Sequence, residues 1–318
     1  MLSILLCYVC FATAIVANKA LLSVIPLTIL VGLRMFVAGI ALIYMERKRH
    51  FKAGLTRFKQ DWHVLVAIIL FTTLAPALFK AYGLKYMISA KASFISSIDP
   101  FVTAIYAYFL YSERLSWQKF FGLCIGITGT MILISSTTPV EQTLKAFSIF
   151  SYPELATLAS VCIGRLGWIN VQQQVRSNRY TPREINGLIM LGAGSISLLA
   201  AVYYQESFAS LLALSPLNMG LLAYSIIVGN MFAYTFLTYM LKKHSATLMS
   251  LAGMSVPIMV SVLGYTCLGE VPTWHVIVAG ALVLIGLVIF NQEVLEAKPM
   301  YGPREEATPL YAQSKKHF

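Results

Sequence analysis

Long apolar stretches separated by short polar segments run through this sequence. Each stretch has about 20 residues, the length that an α-helix needs to cross the hydrocarbon core of a bilayer. Strands of a membrane barrel would instead alternate apolar and polar positions over about ten residues. The pattern predicts an all-α membrane protein with ten transmembrane helices. These span residues 2–22, 26–46, 64–84, 90–112, 117–136, 153–173, 185–204, 218–240, 246–269 and 273–292.

The composition supports this interpretation and narrows the class of protein. Of the 318 residues, 58% are hydrophobic and 12% are charged, whereas soluble domains carry about 25% charged residues. The formal net charge is +11, but the basic residues lie in short loops between apolar stretches, so we predict no nucleic-acid partner. No phosphate-binding GxxxxGK[ST] motif is present, which argues against direct use of ATP.

The distribution of lysine and arginine predicts the orientation. Basic residues concentrate in segments 47–59, 114–119 and 176–183 and in the polar C-terminal tail. The opposite side carries Lys19, Lys85, Lys91 and Lys145. Because cytoplasmic loops are enriched in lysine and arginine, both termini are predicted to be cytoplasmic. We expect a multi-pass protein of a bacterial inner membrane.

The chain contains an internal repeat. The segment IDPFVTAIYAYFLYSERLSW matches SVPIMVSVLGYTCLGEVPTW at an offset of 157 residues, which aligns Pro100 with Pro257 and Glu113 with Glu270. The same offset aligns Phe79 with Phe236, Tyr82 with Tyr239, Trp117 with Trp274 and Gly129 with Gly286. Many matches at one offset indicate a duplicated unit.

The number of helices in each copy determines their relative orientation. Five helices per copy make the second copy inverted, an arrangement that places a binding site near the midplane of transporters. The predicted units are a first five-helix repeat at 1–136, an outer linker at 137–152, a second repeat at 153–292 and a disordered cytoplasmic tail at 293–318.

Several motifs resemble one family. An early Asn18-Lys19, Pro26, Arg34 and the segment KASFISSIDPFVTAIYAYFLYSERLSWQKFFGLCIGITGTMIL resemble an EamA-type member of the drug/metabolite transporter superfamily. The second copy departs from the pattern, because Val271-Pro272 follows Glu270 where Arg-Leu follows Glu113. The resemblance implies secondary transport by alternating access, through proton coupling or exchange. The implied solute is an amino acid or a derivative such as S-adenosylmethionine, with sugar-phosphate or nucleotide-sugar exchange as the alternative.

Ionisable side chains within the predicted spans are the first candidates for a site. Each costs at least about 2.5–3.5 kcal/mol at mid-membrane, so each suggests a function. Asp99 is predicted to couple protons or to bind a substrate amine; the alternative is a fixed ion pair with Arg34, Lys80 or Arg165. Because these cations outnumber the acid and arginine binds carboxylate or phosphate through two parallel hydrogen bonds, we predict an anionic or zwitterionic substrate. Arg34 has a structural ion pair as its alternative role.

Polar side chains within the spans add further candidates. Asn230, Tyr234 and Thr238 recur at a spacing of four along one face of a helix. Tyr82 belongs to a similar stripe in the equivalent helix of the first copy. Such stripes either line a cavity or bond to neighbouring helices. Lys19 is predicted to gate the outer mouth, unless it reaches the interface as a snorkelling lysine.

Other residues are predicted to be structural. Pro100 and Pro257 occupy matching positions of the repeat, and Glu113 and Glu270 close the matched helices and are expected to cap the helices that follow. A GxxxG motif at Gly122 and Gly126 permits close helix contact, within one chain or in a homodimer.

Two other classes of protein are disfavoured. The histidines are scattered and no HExxH motif or aspartate cluster is present, so we predict no catalytic residue, no metal site and no cofactor, and the chain is not expected to be an enzyme. A non-transporting membrane subunit would not need charges inside its spans.

Overall fold

The computed structural model describes residues 2–46, 61–111, 116–135, 152–243, 253 and 255–296. Within these ranges every regular element is helical. The predicted linker at 137–152 and the tail at 293–318 lie almost entirely outside them, as does Glu113. The last helix continues past residue 292 to Glu296.

The described helices overlap the predicted spans, but residues 246–252 and 254 of the span predicted at 246–269 lie outside the described ranges. The helices are α1 (Leu2–Leu21), α2 (Leu27–Met45), α3 (Trp62–Tyr86), α4 (Ser89–Ser96), α5 (Asp99–Tyr111), α6 (Trp117–Ser135), α7 (Tyr152–Arg176), α8 (Pro182–Tyr203), α9 (Ala209–Leu212), α10 (Pro216–Tyr224, continuing to Lys243), α11 (Ser255–Leu268) and α12 (Trp274–Glu296). Among the described residues, five helices are long and apolar enough to cross a membrane by length and composition.

Three of the predicted spans differ internally from regular α-helices. The span at 90–112 is interrupted at Ser97 and Ile98, where α4 ends and α5 begins. Pro100 causes this break because its nitrogen carries no proton for a helical hydrogen bond. In α3 and α10, residues Ile69–Leu74 and Ser225–Ala233 form π-helical segments inside otherwise α-helical elements.

Capping residues explain where some helices begin. The Thr181 hydroxyl accepts a hydrogen bond from the Glu184 N–H, and the Glu184 carboxylate accepts one from the Thr181 N–H. This capping box, with Pro182 at the first helical position, starts α8. The Ser215 hydroxyl accepts from the Asn218 N–H at the start of α10, again with proline next in sequence.

Helices of the two predicted repeats pack closely against each other. A Cβ atom on Gly39 of α2 would lie 2.5 Å from the Leu191 nitrogen, and one on Gly194 of α8 would lie 2.4 Å from the Phe36 nitrogen. Only glycine fits such contacts, so the backbones of α2 and α8 approach each other closely at both positions. Gly122 of the GxxxG motif similarly contacts the α12 backbone, so this close contact lies within one chain.

Candidate functional site

A cavity of about 310 Å³ lies between helices of the two predicted repeats. α1, α2, α3, α4 and α5 line it from the first, and α7, α8, α10 and α11 from the second. Pro100 and Pro257, which match in the repeat, both line it. Its volume is at the lower end of the range for metabolite-sized sites.

An ion pair between the two predicted repeats faces this cavity. Arg165 of α7 donates from Nε to Asp99 Oδ1 at 2.8 Å, and its Nη2 contacts Asp99 Oδ2. The side chains are 20% and 36% exposed, because one edge of the pair opens to the cavity. The structure therefore pairs Asp99, the predicted coupling acid, with Arg165, a predicted substrate-binding cation. The sequence analysis gave such an ion pair as the alternative role of Asp99.

The other two predicted cations lie on packed helices without such a partner. Lys80 of α3 lines the cavity, and Arg34 lies on α2, which packs against this part of α3 and against the π-helical part of α10. The buried Nε of Arg34 has no hydrogen-bond partner in the described part of the chain. Arg34 itself does not line the cavity, although the next residue, Met35, does.

Aromatic rings form one wall of the cavity. The Tyr234 ring stacks parallel to Trp168, with centroids 6.3 Å apart, and meets Phe11 edge-on at 5.1 Å. Tyr8 lines the same space. Sequence reasoning identified only Tyr234. Trp168 stands three residues after Arg165, on the same face of α7, and that spacing was the available signal.

The predicted polar stripe of α10 divides among different roles. Thr238 is buried, accepts a hydrogen bond from the Asn186 amide at 2.9 Å and donates to the Tyr234 carbonyl. Asn230 is also buried, and its Nδ2 has no partner among the described residues. In α3, Tyr82 packs edge-on against Tyr86 with centroids 4.9 Å apart. Of the predicted residues Tyr82, Asn230, Tyr234 and Thr238, only Tyr234 lines the cavity.

The predicted gate residue binds backbone at the end of the bundle where α3 ends. Lys19 Nζ donates to the carbonyls of Leu84 and Met87, at 2.7 Å each, and to that of Lys85 at 3.2 Å. These carbonyls lie at the C-terminal end of α3, where helix carbonyls lack helical partners. The lysine therefore donates to them, and its positive charge interacts favourably with the helix dipole.

Two further contacts at this end cross between the predicted repeats. Lys91 of α4 forms an ion pair with Glu154 of α7, with both side chains almost fully buried. Glu270 accepts hydrogen bonds from the N–H and the hydroxyl of Ser89, so it caps α4. The sequence had led us to expect that it caps the helix beginning at Trp274. Sequence reasoning missed Lys91 and Glu154, because both stand near predicted span ends where charged residues are common.

A membrane transporter is the class that fits this fold and cavity. The EamA-like transporter family model matches residues 1–135 and 155–292. The chain belongs to this family and is an integral membrane protein.

Individual relatives agree with this assignment. An S-adenosylmethionine/S-adenosylhomocysteine transporter of Chlamydia muridarum is 26% identical over 275 residues, covering 82% of each chain. The transporter of the same name from Chlamydia trachomatis serovar L2 is 24% identical over 265 residues, covering 82% of this chain and 80% of that protein. One solved crystal structure, 18% identical, shares the fold with a TM-score of 0.63 over 92% of this chain and 98% of its own.

Proposed function

We propose that the chain crosses a bacterial inner membrane ten times, as two inverted five-helix repeats with both termini in the cytoplasm. The helices α4 and α5 together make one crossing, and α9 makes none. The repeats are residues 1–136 and 153–292, joined by an outer linker at 137–152, and a cytoplasmic tail follows at 293–318. Support comes from the repeat offset, from the basic loops and from the family match in two separate regions.

The proposed substrate is an amino-acid derivative of the S-adenosylmethionine and S-adenosylhomocysteine class. The parallel Tyr234 and Trp168 rings offer the flat apolar surface that an adenine ring stacks on. A sulfonium cation is attracted to the face of such rings, and the zwitterionic end suits a cavity that carries both signs of charge. The names of the Chlamydia relatives support this class.

The observation that carries the proposal is the Asp99–Arg165 pair. It joins the two halves at the cavity, so any movement of one half relative to the other acts on it. Alternating access would break the contacts of Lys91 and Glu270 that join the two repeats at one end of the bundle, and form equivalent contacts at the other. Protonation of Asp99, or exchange for a related solute, would supply the driving force.

One observation favours a second candidate function. Lys80 and Arg34 have no carboxylate partner in the described part of the chain, and phosphate oxygens bind lysine and arginine well. Exchange of a sugar phosphate or nucleotide sugar is therefore the alternative within the same superfamily.

Uptake into proteoliposomes tests the proposal. We expect saturable entry of labelled S-adenosylmethionine that is stimulated by S-adenosylhomocysteine preloaded inside, or by a proton gradient. The Arg165→Gln variant should lose uptake. Arg179→Gln is the matched control, because Arg179 also pairs with an aspartate, Asp61, but at the exposed surface away from the cavity.

The outcomes separate the two candidates. Absence of saturable S-adenosylmethionine uptake under both driving forces would overturn the proposed substrate. Exchange of labelled glucose 6-phosphate by the same vesicles would then support the alternative.

A further inference from the structure

The carboxylates of the cavity region are already occupied. Asp99 is paired with Arg165, and Glu154 with Lys91. Every other acid whose side chain the structure describes accepts a hydrogen bond from a residue other than Arg34 or Lys80; these acids are Glu46, Asp61, Glu184, Glu206 and Glu270.

Lys80 and Arg34 therefore remain as positive charges on two packed helices, with no counter-charge among the described side chains. Both side chains are partly buried; withdrawing a cation from water without a partner is unfavourable, and like charges on packed helices repel one another as well. Lys80 faces the cavity, whereas Arg34 lies behind it with a buried Nε that donates to nothing in the described ranges. A negative group placed in the cavity beside Lys80 would relieve both penalties.

The Asp99–Arg165 pair offers no such place. Arg165 contacts both carboxylate oxygens of Asp99, so two of the guanidinium nitrogens are already used. A substrate anion that bound these two nitrogens would have to displace Asp99, and one that bound the remaining nitrogen, Nη1, would meet a guanidinium whose charge Asp99 already balances.

We propose that Lys80, supported by the charge of Arg34, binds the carboxylate of the substrate, and that the Asp99–Arg165 pair does not. This inference rests on the proposed function and names the group that recognises the amino-acid end of the solute. Of the three cations within the predicted spans, it assigns the anion subsite to Lys80 on α3 with Arg34 on α2, and not to Arg165 on α7. Tyr234, where the adenine is proposed to stack, lines the same cavity as Lys80.

A pair of ligands that differ only in the carboxylate tests this assignment. S-adenosylhomocysteine carries the group, and S-adenosyl-3-thiopropylamine lacks it while it keeps the adenosine, thioether and amine. We expect Lys80→Met to weaken binding of S-adenosylhomocysteine by about 10- to 100-fold, the range for a hydrogen bond to a charged group. Binding of the decarboxylated compound should not change. Lys85→Met is the matched control, because Lys85 lies on the same helix with an exposed side chain.

Isothermal titration of the purified full chain in detergent gives the dissociation constants. Lys80→Arg retains the positive charge and should therefore recover most of the affinity for S-adenosylhomocysteine. Such recovery would show that a substitution at this position does not prevent the site from folding. Equal loss of both ligands in Lys80→Met, or no loss of either, would overturn the assignment while the proposed function stands. Failure of the unchanged protein to bind S-adenosylhomocysteine would overturn the proposed substrate and the carboxylate subsite together.

Discussion

The ion pair between Lys91 and Glu154 predicts a large effect on stability. The Lys91 side chain is 0% exposed and that of Glu154 is 1% exposed, so water compensates neither charge. Replacing Lys91 by methionine removes the cation that pairs with the buried Glu154 carboxylate. Removal of one member of a buried pair costs about 3–5 kcal/mol, and we expect the free energy of unfolding of Lys91→Met to fall by that amount.

The double variant Lys91→Met/Glu154→Gln distinguishes loss of the pair from general damage. With both charges gone, no uncompensated charge is buried, and replacing a whole buried pair is often nearly neutral. We therefore expect the double variant to be more stable than Lys91→Met alone. The difference between the double variant and the sum of the single ones measures the coupling of the two side chains.

Thermal unfolding in detergent, followed by tryptophan fluorescence, gives the required comparison. The exposed pair of Arg179 and Asp61 serves as an internal reference, since Arg179 is 44% exposed and exposed pairs contribute about 0–1 kcal/mol. Arg179→Gln should therefore unfold close to the unchanged protein. If Lys91→Met unfolds no earlier than Arg179→Gln, the argument from burial is wrong.

Three smaller predictions follow from single contacts. Tyr234→Ala should weaken binding of S-adenosylhomocysteine about 2- to 10-fold and Tyr234→Phe much less, because the stacked ring contributes about 0.5–1.5 kcal/mol; equal losses in a binding titration would contradict this. Gly39→Val places a side chain against the Leu191 backbone and should lower the free energy of unfolding by about 1–3 kcal/mol, which unfolding in detergent would detect. Glu270→Ala removes the acceptor of two hydrogen bonds from Ser89 and should cost about 1.5–3 kcal/mol. Unchanged unfolding of this variant would show that the contact does not contribute.

The helical architecture was largely predictable because hydrophobic length and capping are local properties. Thr181-Pro182 and Glu184 carry the signature of a helix start, and α8 begins there in the structure. The break after Ser96 was not predicted: Ser97, Asp99 and Pro100 stand there in the sequence, but polar residues and proline also occur within continuous membrane helices, so the pattern alone does not place a break. Burial of the intervening segment decides whether such a break is tolerated.

Pairings between side chains were less accessible from the sequence. Composition identified Asp99, Arg165 and Lys80 as charges inside predicted spans, and two of them do form a pair. Which cation Asp99 selects depends on the helix packed against α5, and sequence spacing holds no information on that neighbour. Lys91 and Glu154 show the same limit, because each alone has the position of an ordinary interfacial charge.

The two π-helical segments show that the repeat extends to backbone hydrogen bonding. Ile69–Leu74 of α3, shifted by the repeat offset of 157 residues, falls within Ser225–Ala233 of α10. The residues differ, since Thr73 corresponds to Asn230, so local sequence preference does not explain the coincidence. In an apolar environment every departure from regular helical hydrogen bonding must be compensated by packing, and such departures are frequent at functional sites. The two segments occupy matching positions of the predicted repeat and flank the cavity, at Thr72 and Thr73 and immediately before Tyr234, so the shared position of these helices around the cavity accounts for the departure better than local sequence does.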